Sequence, residues 1–274
     1  VPCYNGASHV GGAIEAVLSQ TVAPAEVLVI DDGSTDESAT IARRYPVRLV
    51  RHGVNRGLAV ARNTALQVAS GNVIVYVDAD AYADPGLLAT MVRPYEDGTI
   101  GGVGGQGIEA NVSSTADRWR QVHASQGYGG TAKDVEFLFG LCMSYRTTLL
   151  RDIGGFDTSF STNAEDMDIG LRVRAAGYRL LYIPEACVYH QRRDTNSSLR
   201  RTMRRWYSAA YRARRKNHAQ AWRLLAGTLR RCVTDPVQDI VAHRDPSLVP
   251  LSVTIASAKL LGLADAILHG AGNR

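Results

Sequence analysis

The chain has 274 residues, 45% hydrophobic and 21% charged, a composition that suits a folded globular protein and argues against long disordered stretches. Its formal charge of +5 is uneven: from Arg192 to Arg231 basic residues crowd together and Asp194 is the only acid, which favours phosphates or an anionic surface. Four widely spaced cysteines, Cys3, Cys142, Cys187 and Cys232, lack CxxC spacing, so buried free thiols are expected rather than a zinc site or disulfide framework, and no uninterrupted run of about 18 apolar residues marks a membrane span.

In chain order, Val1-Pro2-Cys3-Tyr4-Asn5 reads as the end of a strand whose first residues are absent from the sequence. Gly12 to Gln20 carries Ala13, Ile14, Val17 and Leu18 at helical spacing. Val27 to Ile30 is a short strand running into Asp31-Asp32-Gly33, after which Ser34 or Thr35 is expected to cap a second helix. Val47 to Val50 is a third strand, Gly57 to Ala69 a helix, and Asn72 to Val77 a buried strand. This alternation predicts an α/β fold with a mostly parallel central sheet and helices on both faces. The strand ends at Asn5, Asp31 and Asp78 then fall along one edge, where a nucleotide binds in such sheets.

Val77 is followed by Asp78-Ala79-Asp80. Two acids at the end of a buried strand are costly unless something pairs with them. Hard divalent cations bind carboxylates together with substrate phosphates, so the pair suggests a site for a metal and a phosphorylated ligand. If strand geometry continues, Asp78 and Asp80 share a face.

Further along, Gly101 to Gly107 reads as a strand with close backbone approach or as a turn, and lacks the spacing of a phosphate loop. Phe137 to Tyr145 is expected as a buried strand, Leu149 to Ile153 as a short helix, Asp166 to Ala176 as a helix stopped by Gly177, and Arg179 to Ile183 as the last strand.

Pro2-Cys-Tyr-Asn5, Asp31-Asp-Gly-Ser-Thr-Asp36, Asp78-Ala-Asp80 and Glu165-Asp166-Met-Asp168, in this order, resemble the family 2 glycosyltransferases, inverting enzymes with the GT-A nucleotide-diphospho-sugar transferase fold. Asn55-Arg-Gly-Leu58, Ala61-Arg-Asn63, Gly154-Gly-Phe-Asp157 and Val188-Tyr-His190 extend the likeness over roughly residues 1–192. The resemblance implies a nucleotide diphosphate sugar donor and Mn2+ or Mg2+. It implies that Pro2, Tyr4 and Asp32 lie at the base, and Asp78 at the ribose and metal. Asp80, with His190, is implied as a metal ligand, and Asp166 as the general base. Glu165 and Asp168 are the alternatives for that role, or structural and acceptor-positioning residues. Arg56, in a loop before a helix, faces the diphosphate or solvent.

After the expected catalytic domain, 1–198, residues 199–274 form a basic helical extension. Met203, Trp206, Tyr207, Ala210 and Tyr211 give it an apolar side opposite Arg200, Arg201, Arg204 and Arg205. Such a helix either lies on an anionic membrane surface or packs with a solvated basic face. Leu248 to Gly270 is a second apolar stretch, interrupted by Lys259 and Asp265. No nucleic-acid motif accompanies the charge. The reading is an inverting transferase acting on a lipid-linked or cell-envelope glycan, cytoplasmic and peripheral at the inner face of the cell membrane. One rival is a nucleotidyltransferase making the activated sugar; it would leave Glu165-Asp166 unexplained and needs a glycine-rich basic loop after the first strand. The other is a non-catalytic nucleotide-binding membrane scaffold.

Overall fold

A computed structural model describes residues 1–160 and 163–269, so Gly270, the end of the second apolar stretch, lies outside the described residues. The elements in order are β1 (Pro2–Cys3), α1 (Val10–Leu18), β2 (Leu28–Asp31), α2 (Ser38–Ala42), β3 (Arg48–Arg51), α3 (Leu58–Val68), β4 (Val73–Val77), β5 (Ala81–Ala83) and α4 (Leu87–Val92). Then come β6 (Ile100–Glu109), α5 (Thr115–His123), β7 (Lys133–Asp134), β8 (Cys142–Arg146), α6 (Thr147–Asp152), α7 (Glu165–Ala175), β9 (Arg179–His190), α8 (Asn196–Lys216), α9 (Ala221–Val241) and α10 (Val249–His269). They form two compact units: residues 1–108 with 126–191, and residues 109–125 with 192–274. The division differs from the expected boundary after 198, because Ala116 and Trp119 of α5 belong to the same buried cluster as Leu199 and Met203 of α8.

In the first unit the α/β architecture is as expected, but the strand directions are not. β1, β2 and β3 run parallel, in a three-stranded sheet. The larger sheet runs β4-β8-β6-β9-β5, and β4 with β8, β6 with β8, and β5 with β9 are antiparallel. The expectation of a mostly parallel sheet fails because apolar runs report burial, not direction. Ile30, Tyr76, Leu138, Tyr145, Ile169 and Leu180 form the main core. Gly105 of β6 has no room for a side chain: an added Cβ would lie 1.9 Å from the Ala186 carbonyl.

Two local departures build the site. The second helix begins at Ser38, not at Ser34, because the expected capping side chains serve the Asn5–Ala7 turn instead. Ser34 Oγ accepts from Asn5 N (2.9 Å), Ser38 Oγ from Gly6 N (2.9 Å) and Asp36 Oδ2 from Ala7 N (3.0 Å). The expected strand from Phe137 starts only at Cys142, because the backbone of Gly140 bonds to side chains of the site.

In the second unit, α8 buries Leu199, Met203, Tyr207 and Ala210 and half-buries Trp206 and Tyr211, so its apolar side is used within the unit, while its arginines other than the half-buried Arg214 are exposed. Pro246–His269 is long and apolar enough to cross a membrane by composition, with mean hydropathy 1.6 over its best window, 44% of which is buried. Leu251, Ile255 and Leu263 of α10 share the buried cluster of α8. Of the cysteines, Cys3 and Cys142 are buried, while Cys187 and Cys232 are only half-buried, and all four are free.

Candidate active site

Arg62 organises the site. It sits on α3, 1% exposed, and its guanidinium joins three segments far apart in sequence. Nη1 donates to Glu165 Oε1 (2.6 Å), and Nη2 donates to Asp78 Oδ1 (3.1 Å) and to the Gly140 carbonyl (2.9 Å). Gly140 N in turn donates to Asp166 Oδ2 (3.0 Å), while Asp166 Oδ1 accepts from Met167 N (2.8 Å). Thus Asp78, Glu165 and Asp166 converge, and the link was not foreseen. Ala61-Arg-Asn63 carried the signal: an arginine among the apolar positions of a helix, after Leu58-Ala-Val-Ala61. Its neighbour Asn63 exchanges two hydrogen bonds with the Phe156 backbone (2.7 and 2.8 Å), fixing the Gly154-Gly155 turn. Ala164, which precedes the acids, holds φ at +68°, the left-handed region where a non-glycine residue carries strain.

Three carboxylates around one guanidinium are under-neutralised. Burial pushes the Asp166 and Asp78 carboxyls above their ordinary values, with Arg62 opposing the shift in both. Burial likewise raises Glu165, Arg62 again opposing, from 4.5 to about 7, and its Oε2 is buried without a hydrogen-bond partner. A group whose folded pKa is raised contributes stability that is fully present below its unfolded value and lost as pH rises through the folded value. Thermal unfolding followed across pH is therefore expected to show a component of stability falling between about 4.5 and about 7. Glu165→Gln should flatten that component; an unchanged slope would assign it elsewhere.

Asp78 and Asp80 do not share a face. β4 ends at Val77, and Ala81 N bonds to the Asp78 carbonyl (3.0 Å), closing a turn that sends the two carboxylates apart. Asp78 meets Arg62, whereas Asp80 Oδ2 lies 3.2 Å from His190 Nε2, at the end of β9. His190 Nδ1 in turn meets Gln126 Oε1 (3.2 Å), the kind of outer contact that orients a ligating imidazole. If Nδ1 carries the proton, Nε2 and the Asp80 carboxylate face one another as lone-pair donors, an arrangement that a proton or a cation resolves. Among the described residues no group of three or more His, Cys, Asp or Glu is placed to hold a metal. Asp80 and His190 therefore fit a divalent cation that takes its other ligands from phosphate oxygens, while Asp78, expected as a further ligand, is engaged by Arg62 instead.

The other predicted residues separate into exposed and engaged. Tyr4 is 51% exposed at the end of β1, free to present a ring face, and Arg56 is exposed in the loop before α3. Pro2 is buried in β1, in register with Ile30. Asp32, expected at the base, is 3% exposed and already occupied: Oδ1 accepts from Arg56 N (3.0 Å) and meets His52 Nδ1 (2.6 Å), and Oδ2 accepts from Gly57 N (2.8 Å). It shapes the loop that carries Arg56. Asp31 pairs with Arg51 (2.8 Å). Asp168, an alternative for the base, is fully buried and bonds to Arg172 (2.8 Å), which also donates to the Ile153 and Gly155 carbonyls. Asp168 therefore ties α7 to the Gly154-Gly155 turn, and of the acids on that helix Asp166 is the one left partly open to solvent.

A model of Glycosyl transferase family 2 matches residues 1–154. The glucosyl-dolichyl phosphate glucuronosyltransferase of Haloferax volcanii is 25% identical over 196 residues, 65% of this chain and 63% of that protein. The poly-beta-1,6-N-acetyl-D-glucosamine synthase of Staphylococcus epidermidis is 26% identical over 218 residues, 74% of this chain and 52% of that protein. The chain thus spans between 52% and 63% of the length of these two relatives. The solved mannosyltransferase of Pyrobaculum calidifontis, in complex with GDP-Man and Mn2+, superposes with a TM-score of 0.65 at 22% identity over 98% of this chain and 86% of that one. At that identity the likeness establishes the fold, which is α/β and GT-A-like with carboxyl-terminal helices.

Proposed function

The chain belongs to glycosyl transferase family 2, and from that premise we propose that it is a metal-dependent inverting transferase, moving one sugar from a nucleotide diphosphate sugar to a hydroxyl of a lipid-linked or cell-envelope glycan. The observation that carries this reading is the convergence of Asp78 and Asp166 from distant segments through Arg62 and Gly140. Direct displacement with inversion requires a carboxylate that takes the proton of the attacking hydroxyl. Asp166 supplies it: held by two backbone amides and partly open, it is the acid of its helix not committed to an arginine.

Tyr4 offers a stacking surface for the base and Arg56 a cation for the diphosphate, with Asp32 holding the Arg56 loop in place. Asp78, fixed by Arg62, fits a ribose contact. Mn2+ or Mg2+ on Asp80 and His190 would neutralise charge on the leaving diphosphate. The acceptor class and a cytoplasmic location, peripheral at the inner membrane face, belong to the same proposal. They are supported by the basic surplus of the second unit and by the likeness to a glucosyl-dolichyl phosphate glucuronosyltransferase.

Incubation with a panel of nucleotide sugars in Mn2+ or Mg2+ tests the reading. Release of a nucleoside diphosphate is expected, lost in chelator, and Asp80→Ala should weaken donor binding in metal while leaving metal-free binding little changed. Pyrophosphate release would favour the nucleotidyltransferase, and full activity in chelator would remove the metal from the proposal.

A further inference from the structure

Helix α9 is amphipathic the wrong way round. Its buried residues are Thr228, Asp235 and Asp239. Asp239 meets His123 Nε2 (2.5 Å) and accepts from Ser252 Oγ (2.6 Å), and Asp235 pairs with Lys259 Nζ (3.1 Å), so the fully buried positions form a satisfied polar network, beside which Leu224 and Leu225 are half-buried against the unit's apolar cluster. The outer face is apolar: Trp222, Leu229, Val233, Val237 and Ile240 are each more than half exposed. Spaced seven, four, four and three apart, they make one stripe, roughly 27 Å long at ~1.5 Å rise per residue. A soluble surface has no reason to carry such a stripe, and exposed apolar patches of this extent mark interaction sites.

Charge identifies the occupant. The second unit holds 18 Lys and Arg against 7 Asp and Glu, formally +11, whereas the first holds 13 against 19, formally −6. All seven acids of the second unit are engaged inside it, as in Asp245 with Arg118 and Asp265 with Arg204. Arg223 and Arg230 are exposed on one flank of the stripe, with Arg231 further round the helix, and Arg223 lies over the Trp222 ring at 5.6 Å. A second copy of the same face would bring like charges together. An anionic bilayer accepts both features, apolar side chains at the acyl boundary and arginines among the headgroups.

We propose that the outer face of α9, not the basic face of α8, docks the protein on an anionic membrane surface. This deepens the peripheral location given above but does not depend on the sugar-transfer reading, since it uses no residue of the acid cluster. Co-sedimentation with phosphatidylcholine vesicles, with and without phosphatidylglycerol, tests it. The unmodified protein should bind the anionic vesicles, less with added salt because screening shortens the reach of the arginines. The triple variant Leu229→Gln, Val233→Gln, Ile240→Gln should lose at least tenfold in partitioning. Glutamine is as good a helix former as the residues it replaces, and circular dichroism and nucleotide binding should stay unchanged. The Trp222 emission should shift to the blue on vesicles, and Trp222→Phe should remove the shift. No binding by the unmodified protein overturns the proposal. So does equal binding by the triple variant, which would return the role to the arginines of α8. A dimer in sedimentation velocity that the triple variant converts to monomer, without vesicle binding, would identify the face as a self-association surface instead.

Discussion

Asp166→Asn is expected to reduce turnover by about 10²–10⁴, the usual loss when a positioned general base is removed. The variant keeps the shape of the side chain. It sacrifices one of two hydrogen bonds, since the amide nitrogen must face either Gly140 N or Met167 N. The stability loss should therefore be modest, on the order of 1 kcal/mol. Donor affinity should hold, because Asp80, His190, Tyr4 and Arg56 are untouched. The pH profile gives a second readout. Burial raises Asp166, so the acid limb of kcat/KM should lie above the ordinary aspartate value of about 3.9. Glu165 titrates beside it, and the limb reports the pair rather than either acid alone. Near-normal turnover in Asp166→Asn would move the proton to another group. Glu165 would be the next candidate, since Asp168 is fully buried and bonded to Arg172.

Much of the first unit is legible in the sequence where hydrophobic periodicity meets turn residues. The β4 strand, the acids after it, α3, and α7 with its opening Glu165-Asp166 fall within a residue or two of their expected places. What is not legible has a common physical origin: a polar side chain chooses its partner through space. Ser34 and Asp36 look like a helix start and instead bind the Asn5–Ala7 turn. Asp32 looks like a ligand and instead closes the Arg56 loop. Asp78 and Asp80 look like a matched pair and are parted by a turn. The same holds for α9, whose outer apolar stripe was not singled out from the sequence and whose inner polar network draws its partners from α5 and α10.

Replacing Arg62 should be the most damaging change to the fold of the first unit. Arg62→Met keeps bulk and removes the charge, leaving Asp78 and Glu165 facing one another's fields without a counter-ion, and the Gly140 carbonyl without its donor. Removing one partner of a buried ion pair costs about 3–5 kcal/mol, since the remaining charge stays desolvated. Against a total stability of roughly 5–15 kcal/mol that is a large share. The loss should shrink at acid pH, where Glu165, already raised to about 7, takes a proton and removes part of the uncompensated charge. Arg62→Lys should fall between, because an ammonium supplies charge but not the planar fork that reaches Glu165, Asp78 and Gly140 together. Urea unfolding at neutral and acid pH measures both effects through a lower midpoint at unchanged slope. An Arg62→Met midpoint equal to that of the unmodified protein at neutral pH would mean that the three acids are not held by this guanidinium. The cluster would then owe its geometry to the backbone alone. Gly140 adds a constraint from the other side: an added Cβ there would sit 2.9 Å from Arg62 Nη2, so the loop approaches the guanidinium as closely as a glycine allows. Any shift of Arg62 therefore moves Gly140, and with it the amide that aims the Asp166 carboxylate, which couples the stability of this cluster to the position of the proposed base.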